Sequence, residues 1–331
     1  MTKPRYDVLC IGNAIVDVIA DATDDFLASQ GLDKGSMRLI DQAEAVRLYD
    51  AMGPGREISG GSAGNTAAGL AALGLRAAFI GQVADDQLGT IYRHDIEAQG
   101  IDFLMPPRGD VGATARSLIL VTPDAQRTMN TFLGAAQRLD TDSVDMDAVA
   151  DAGILYLEGY LWDPADPRAA MEAAIEAAHE AGRKVAFTLS DSFCISRHRA
   201  DFLRLIEEEK IDILFANEAE IVELAGTDDF EAAIASIAPR VPVLVVTRSE
   251  KGAIALAGDE RASVSAEPIE RLVDTTGAGD LFAAGFLAGQ ARGQGLAASL
   301  KLGAIAAAEV IQHYGARPEA DLKALAGELT G

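Results

Sequence analysis

The sequence predicts an α/β fold: a doubly wound, mostly parallel sheet flanked by helices, with a small β-sheet lid. Three observations carry that reading. Short apolar runs alternate with longer Ala-rich segments of helical spacing over most of the chain. Glycines stand just past the ends of several helical segments. Two separated stretches break the alternation and read as strands. With 331 residues, 49% of them hydrophobic, the chain has ample material for a large core. It is read as one domain over residues 1–331, with the lid formed by about 14–41 and 112–133 and the main α/β body by the remainder.

Strands are expected over residues 8–11, 77–81, 154–158, 184–189, 211–216 and 243–247. Charged residues or glycine bound most of these runs, and their length suits buried parallel strands. Helices are expected over 62–73, 87–98, 167–181, 198–209 and 218–224. Gly74, Gly100, Gly182 and Gly226 close four of them, where a helix C-terminus favours left-handed backbone. In the second lid stretch, 115–122 and 127–132 read as strands joined by the turn Thr122-Pro123-Asp124-Ala125. The C-terminal stretch, rich in Ala and Leu, is expected to be helical and to pack on the core.

Charge narrows the function. The formal net charge is −23, from 28 basic and 51 acidic residues. Gripping nucleic-acid phosphates or an anionic membrane needs a basic face, so neither is an expected partner. A nucleotide would have to be held mainly by backbone N–H groups, a helix N-terminus and a metal ion. Cys10 and Cys194 have no paired spacing for a disulfide framework or a metal, and read as reduced core thiols. Asp7 and Asp17 break any signal-peptide pattern near the start. The apolar run from Ala67 stops at Arg76, well short of the roughly 18 residues that span a bilayer. The expectation is a cytoplasmic protein.

The strongest chemical segment is Asp274-Thr275-Thr276-Gly277-Ala278-Gly279-Asp280, followed by an apolar helix. Three small residues let backbone N–H groups approach a charged ligand, and the helix behind them adds roughly half a positive charge. Asp280 at the mouth of such a cradle would repel a phosphate unless it has a task. As a general base taking a proton from an attacking hydroxyl, it makes sense there. A helix-capping Asp after a Gly-rich turn is the plainer alternative. Phe282 stands where a dinucleotide fingerprint needs glycine, and no P-loop motif occurs. His198-Arg199-Ala200-Asp201 lacks the asparagine spacing of a protein-kinase catalytic loop. His94, His179, His198 and His313 show no common metal spacing and read as helix-surface residues.

The segment 274–280 resembles the C-terminal signature of the ribokinase and adenosine kinase family, the PfkB carbohydrate and nucleoside kinases. Gly60-Gly61-Ser62-Ala63-Gly64-Asn65 resembles the N-terminal counterpart, and Gly12-Asn13 with Asp17 the opening strand. Asn217-Glu218-Ala219-Glu220 is similar to the N-x-x-E element, and Val246-Thr247 with Gly252 to the nucleotide-binding strand and turn. These matches are collinear and cover nearly the whole chain. The resemblance implies a ribokinase-like fold and ATP-dependent transfer of a phosphoryl group to a primary hydroxyl. It implies that Asp280 is the base, that Gly277, Ala278 and Gly279 stabilise charge, and that Arg127 approaches the transferred phosphate. Asn13, Asp17, Gly60, Gly61 and Asn65 would bind the acceptor. Asn217 and Glu220 would help place Mg²⁺ and phosphate, and Thr247 and Gly252 the nucleotide. Asp274, with the loop near Gly315, matches a monovalent-cation site in some relatives, so potassium is a candidate.

The expected acceptor is a nucleoside, adenosine first, with Phe132 as an aromatic that stacks on a purine or packs in the core. The alternative is a sugar such as ribose or fructose. A non-catalytic nucleoside or sugar sensor on the same fold is the third reading, and retention of Asp280 beside the anion cradle counts against it. Both a monomer and a homodimer paired through lid-strand edges remain open.

Overall fold

Apolar strand segments that cannot satisfy their backbone alone pair side by side, and Ala-rich helices cover both faces. In the computed structural model, residues 3–124 and 126–330 are described. The strands are β1 (Tyr6–Ile11), β2 (Ile15–Asp21), β3 (Met37–Leu39), β4 (Arg56–Ser59), β5 (Ala77–Ile80), β6 (Asp102–Phe103) and β7 (Ala115–Val121). They continue with β8 (Arg127–Phe132), β9 (Ala152–Glu158), β10 (Lys184–Thr188), β11 (Ile213–Asn217), β12 (Val243–Thr247), β13 (Ala253–Ala257) and β14 (Glu260–Val264). The helices are α1 (Asp24–Ser29), α2 (Gln42–Ala51), α3 (Ser62–Ala72), α4 (Gln87–Ala98), α5 (Met146–Ala150) and α6 (Ala165–Glu180). The remaining six are α7 (Ser192–Glu207), α8 (Glu218–Ala225), α9 (Phe230–Ile237), α10 (Ala278–Ala291), α11 (Leu296–Val310) and α12 (Leu322–Ala326).

The main sheet has nine strands in the order β14-β13-β12-β11-β10-β9-β1-β5-β6. From β12 across to β6 every pairing is parallel, and β13 and β14 add an antiparallel edge. β1 lies inside, with Val8, Leu9, Cys10 and Ile11 all buried. Cys10 and Cys194 are both buried free thiols. A second sheet, ordered β3-β8-β7-β2-β4, forms the lid. No described helix is long and apolar enough to cross a membrane.

The α/β fold with its lid is as the sequence predicts, and each expected main-sheet strand forms within two residues of its expected ends. Gly74, Gly100, Gly182 and Gly226 all take positive φ beyond their helices, the backbone that residues with a Cβ avoid. Several details differ. The stretch 14–41 carries helix α1 between its strands, opened by Thr23, whose side chain accepts from the Phe26 N–H. The lid also recruits β4, from outside both expected stretches. The helix expected over 198–209 starts earlier, at Ser192, and is kinked at His198. The C-terminal stretch is helical only in α11 and α12, with an irregular segment between them. Of the turn at 122–125, Ala125 lies outside the described residues.

Two close helix contacts seat the site. A Cβ on Gly69 of α3 would lie 2.6 Å from the Ala284 Cβ and from a Leu281 methyl group of α10. A Cβ on Gly285 would lie 2.5 Å from the backbone of Gly303 on α11. Replacing Gly285 by valine should therefore lower unfolding stability by about 2–3 kcal/mol through overpacking. Urea titration checks this, and an unchanged midpoint would show that α10 does not need this approach.

Candidate active site

The site begins at the start of α10. Gly277 caps the helix at φ +79°, left-handed backbone, and a Cβ there would come within 2.5 Å of the Ala316 Cβ. The N–H groups of the first helical turn have no intrahelical carbonyl to reach. Gly279 is exposed, with open space around its α-carbon. The Ala278 N–H donates to the Thr275 carbonyl at 3.2 Å, and Gly279 leaves the positive end of the helix open to free volume.

Asp280 follows on the first turn and points toward α3. Its Oδ1 accepts from Ser62 Oγ at 2.6 Å and its Oδ2 from Asn65 Nδ2 at 2.9 Å. Burial raises its carboxyl above the usual range, while the two hydrogen bonds and the charge of Arg317 oppose that shift. The base candidate is fixed between the anion cradle and the turn that precedes α3. Asn65 Oδ1 is buried with no partner, an acceptor left open.

That turn, residues 59–64, is held at almost every polar atom. The Gly60 N–H donates to the Ile15 carbonyl at 2.7 Å. The Ser59 N–H and Oγ donate to Asp95 Oδ2 at 2.8 and 2.5 Å. Tyr92 donates to the Gly60 carbonyl at 3.3 Å. Gly61 takes φ +83°, and a Cβ there would run into the Asn13 carbonyl. A Cβ on Gly60 would run into the carboxylate of Asp17. The two glycines therefore let the turn, Asn13 and Asp17 share one small volume.

Asp17 sits on β2 of the lid, partly exposed to this volume, and no protein donor reaches its carboxylate among the described residues. Its carboxyl is pushed up to about 7 by burial, against the attraction of Arg317 and Arg127 and with the repulsion of Asp280 and Asp274. Asn13 is buried, and its Nδ2 donates to Glu158 Oε1 at 2.7 Å. All five acceptor-site candidates, Asn13, Asp17, Gly60, Gly61 and Asn65, therefore meet around one space beside Asp280.

Arg127 reaches across from β8 to the anion loop. It pairs with Asp274 Oδ2 at 2.6 Å, donates to Thr276 Oγ1 at 3.0 Å and lies 5.6 Å over the Tyr314 ring. Asp274 in turn accepts from the Thr276 N–H and hydroxyl at Oδ1 and from the Gly315 N–H at Oδ2. Oδ1 of Asp274 thus has two hydrogen-bond donors, and Oδ2 has one, with the Arg127 guanidinium as its ion-pair partner. This geometry makes Asp274 a brace for Arg127 and the loop.

Asn217 and Glu220 close a capping box at the start of α8. The Asn217 side chain accepts from the Glu220 N–H, and Glu220 accepts from the Asn217 N–H at 2.9 Å. Burial pushes the Glu220 carboxyl up to about 7. Asn217 pairs in register with Thr247 at the carboxyl end of β12, the edge where α/β ligands bind. Gly252, at φ +87°, is required by the hairpin between β12 and β13, because a Cβ would meet the Ser265 α-carbon at 2.8 Å. Asn217, Thr247 and Gly252 thus stand together, along the sheet from Asp280.

Strand alternation decides between the two readings of Phe132. Arg127, Met129 and Thr131 share the face of β8 that turns to the cleft, so Phe132 is on the opposite face with Thr128 and Asn130. Asn130 there accepts from Arg38, and the Phe132 ring lies against Gly134. Phe132 packs behind the lid and does not stack over the acceptor space.

Sequence reasoning missed Glu158 and Arg317. Glu158 is fully buried at the end of β9 and accepts from the Asn13 N–H at 2.8 Å and the Ala63 N–H at 2.7 Å. Burial pushes it up to about 7. A single acid closing an apolar strand was a visible signal. Arg317 lies in an irregular segment, with no spacing to mark it.

A scan against family models matches residues 7–322 to the pfkB family carbohydrate kinases. A probable sugar kinase protein from Rhizobium etli superposes with a TM-score of 0.91 at 51% identity, covering 98% of each chain. The adenosine kinase from Sinorhizobium meliloti gives 0.90 at 50% identity, covering 97% of this chain and 98% of that one. Among curated proteins, adenosine kinase of Saccharomyces cerevisiae is 27% identical over 95% of this chain and 96% of its own length. Fructokinase of Klebsiella pneumoniae is 27% identical over 78% of this chain and 85% of its own.

The pH dependence follows from Asp17. Both of its oxygens are free to accept from hydroxyl donors only when it is ionised, since protonation turns one of them into a donor, and its raised pKa means that protonation sets in as pH falls through about 7. We expect kcat/KM for the acceptor to fall below that pH, and Asp17→Asn to lose that limb. A limb unchanged in the variant would assign the titration elsewhere.

Proposed function

From the premise that this chain belongs to the pfkB family of carbohydrate kinases, and so moves a phosphoryl group from ATP to a small-molecule hydroxyl, we propose that its acceptor is the primary hydroxyl of a ribose- or fructose-like sugar held by Asp17. The observation that carries this is the convergence of Asp280 with Asp17, Asn65 and the Gly60-Gly61 turn around one space beside the start of α10. Asp17 is the only group there with two acceptor oxygens free of protein donors among the described residues. That suits a ring bearing adjacent hydroxyls.

In this reading Asp280 orients the acceptor hydroxyl and takes its proton, and the donors of Gly277, Ala278 and Gly279 face the charge that develops. Bound MgATP supplies the γ-phosphoryl group. The open space at Gly279, the positive start of α10 and the neighbouring Arg127 fit its phosphates, and Asn217 and Glu220 retain lone pairs for water around Mg²⁺. The lid keeps water, a competing acceptor, from the cleft.

The sugar reading leads for a physical reason and a comparative one. Phe132, the aromatic that could have stacked on a purine, faces away from the cleft. Fructokinases stand among the similar proteins, and the Rhizobium etli protein at 51% identity is described as a probable sugar kinase. A second reading, a nucleoside acceptor, is supported by the comparable likeness to the Sinorhizobium meliloti adenosine kinase. It is also supported by the aliphatic cleft face of the lid, where Ile119 pairs with Met129 and Met37 and Leu39 are exposed. ADP release measured with ribose, fructose and adenosine separates them. Turnover with adenosine alone would replace the sugar reading, and release with none would leave a sensor. Asp280→Asn is expected to lower turnover by two to four powers of ten, typical for a positioned base, with acceptor affinity little changed. Near-native turnover would remove Asp280 from the mechanism.

A further inference from the structure

The irregular segment after α11 touches the lid, the anion loop and the acceptor turn. Tyr314 underlies Arg127 of the lid. The Gly315 N–H binds Asp274, and Ala316 packs against Gly277 of the anion loop. Arg317 then turns into the acceptor turn. Its Nε donates to the Ser59 carbonyl at 3.0 Å, one terminal nitrogen to Ser59 Oγ at 3.1 Å, and the other to the Gly64 carbonyl. One guanidinium therefore spans residues 59–64, gripping the turn on either side of its two glycines. The planar fork of arginine can do this, and a lysine ammonium, a single point, cannot.

We propose that Arg317 is a positioning residue for acceptor phosphorylation: it clamps the 59–64 turn from behind, so that Asp17 and Asp280 address the same substrate. The inference rests on the phosphotransfer reading above. Arg317 does not need to touch the acceptor. It acts through Ser59 and Gly64, which flank Gly60, Gly61 and Ser62, and Ser62 holds Asp280.

Charge adds a second, independent effect. Burial raises the carboxyls of both Asp17 and Asp280, and the charge of Arg317 pulls both back down. The other groups facing this pair are Arg127 from β8, Asp274 from the anion loop, and Glu158 and Tyr156 from β9. Tyr160, beyond β9, also feels Asp280, while Tyr92 and Asp95 of α4 face Arg317 itself. Among these only Arg127 is a second cation, and it is paired with Asp274.

Two variants separate the clamp from the charge. In Arg317→Met, KM for the acceptor should rise about tenfold or more, from the loss of several charge-assisted hydrogen bonds, with KM for MgATP within about twofold. The acid limb of kcat/KM should move to higher pH, because the carboxyls lose their counter-charge. Arg317→Lys should restore the limb but not the acceptor KM. Amide hydrogen exchange across residues 59–64, which needs no substrate, should quicken about tenfold or more in both variants. An acceptor KM within twofold of wild type in Arg317→Met, an equal rise in both KM values, or full rescue by lysine would each overturn the clamp. If Arg317→Met does not fold, Arg317→Lys carries the KM and exchange tests alone. A wild-type protein that phosphorylates no acceptor would overturn the phosphotransfer reading, while exchange still judges the clamp.

Discussion

Asp280 belongs to the first turn of α10, yet both of its oxygens are held by side chains of α3. That pair of hydrogen bonds ties the helix that offers backbone donors to the turn that shapes the acceptor space. The helices can come close enough only because Gly69 meets Ala284 and Leu281 without a Cβ between them. Gly285 admits α11 on the other side in the same way. A carboxylate so placed stands beside the positive end of a helix without being neutralised by a cation in contact. It can be an acid–base group and still leave the donors of the cradle free for phosphate oxygens.

In a chain with a net charge of −23, few cations stand at the site. Arg127 on the lid and Arg317 on the C-terminal segment both act on Asp17. The remaining positive character is backbone. The cost is a group of buried or recessed acids, Asp17, Glu158, Glu220 and Asp280, whose carboxyls burial raises. Glu158 shows why such an acid is kept. It gathers the N–H groups of Asn13 and Ala63, which would otherwise be buried unpaired at the point where β1 and α3 converge.

Much of this was legible in the sequence, because periodicity and glycine placement are local signals. The parallel strands from β1 to β12 of the main sheet, the helix stops at Gly74, Gly100, Gly182 and Gly226, and the glycine-rich start of α10 could be read directly, whereas the edge strands β6, β13 and β14 were not. What was not legible depends on chain segments far apart in sequence. β4 joins the lid only by pairing with β2, and Thr23 opens a helix inside a stretch that otherwise alternates like a strand. The face presented by Phe132 follows from strand parity once Arg127 is known to cross the cleft. Arg317 meets Ser59 across more than half of the chain, and no local pattern announces such a contact.

The account turns on where the acceptor hydroxyl lies. A crystal structure with a non-hydrolysable ATP analogue and the acceptor bound tests that most directly. The account predicts the reacting hydroxyl within hydrogen-bond reach of Asp280, about 3 Å, with the terminal phosphate on the N–H groups of Gly277, Ala278 and Gly279. A hydroxyl bound elsewhere, with Asp280 still engaged only by Ser62 and Asn65, would contradict it.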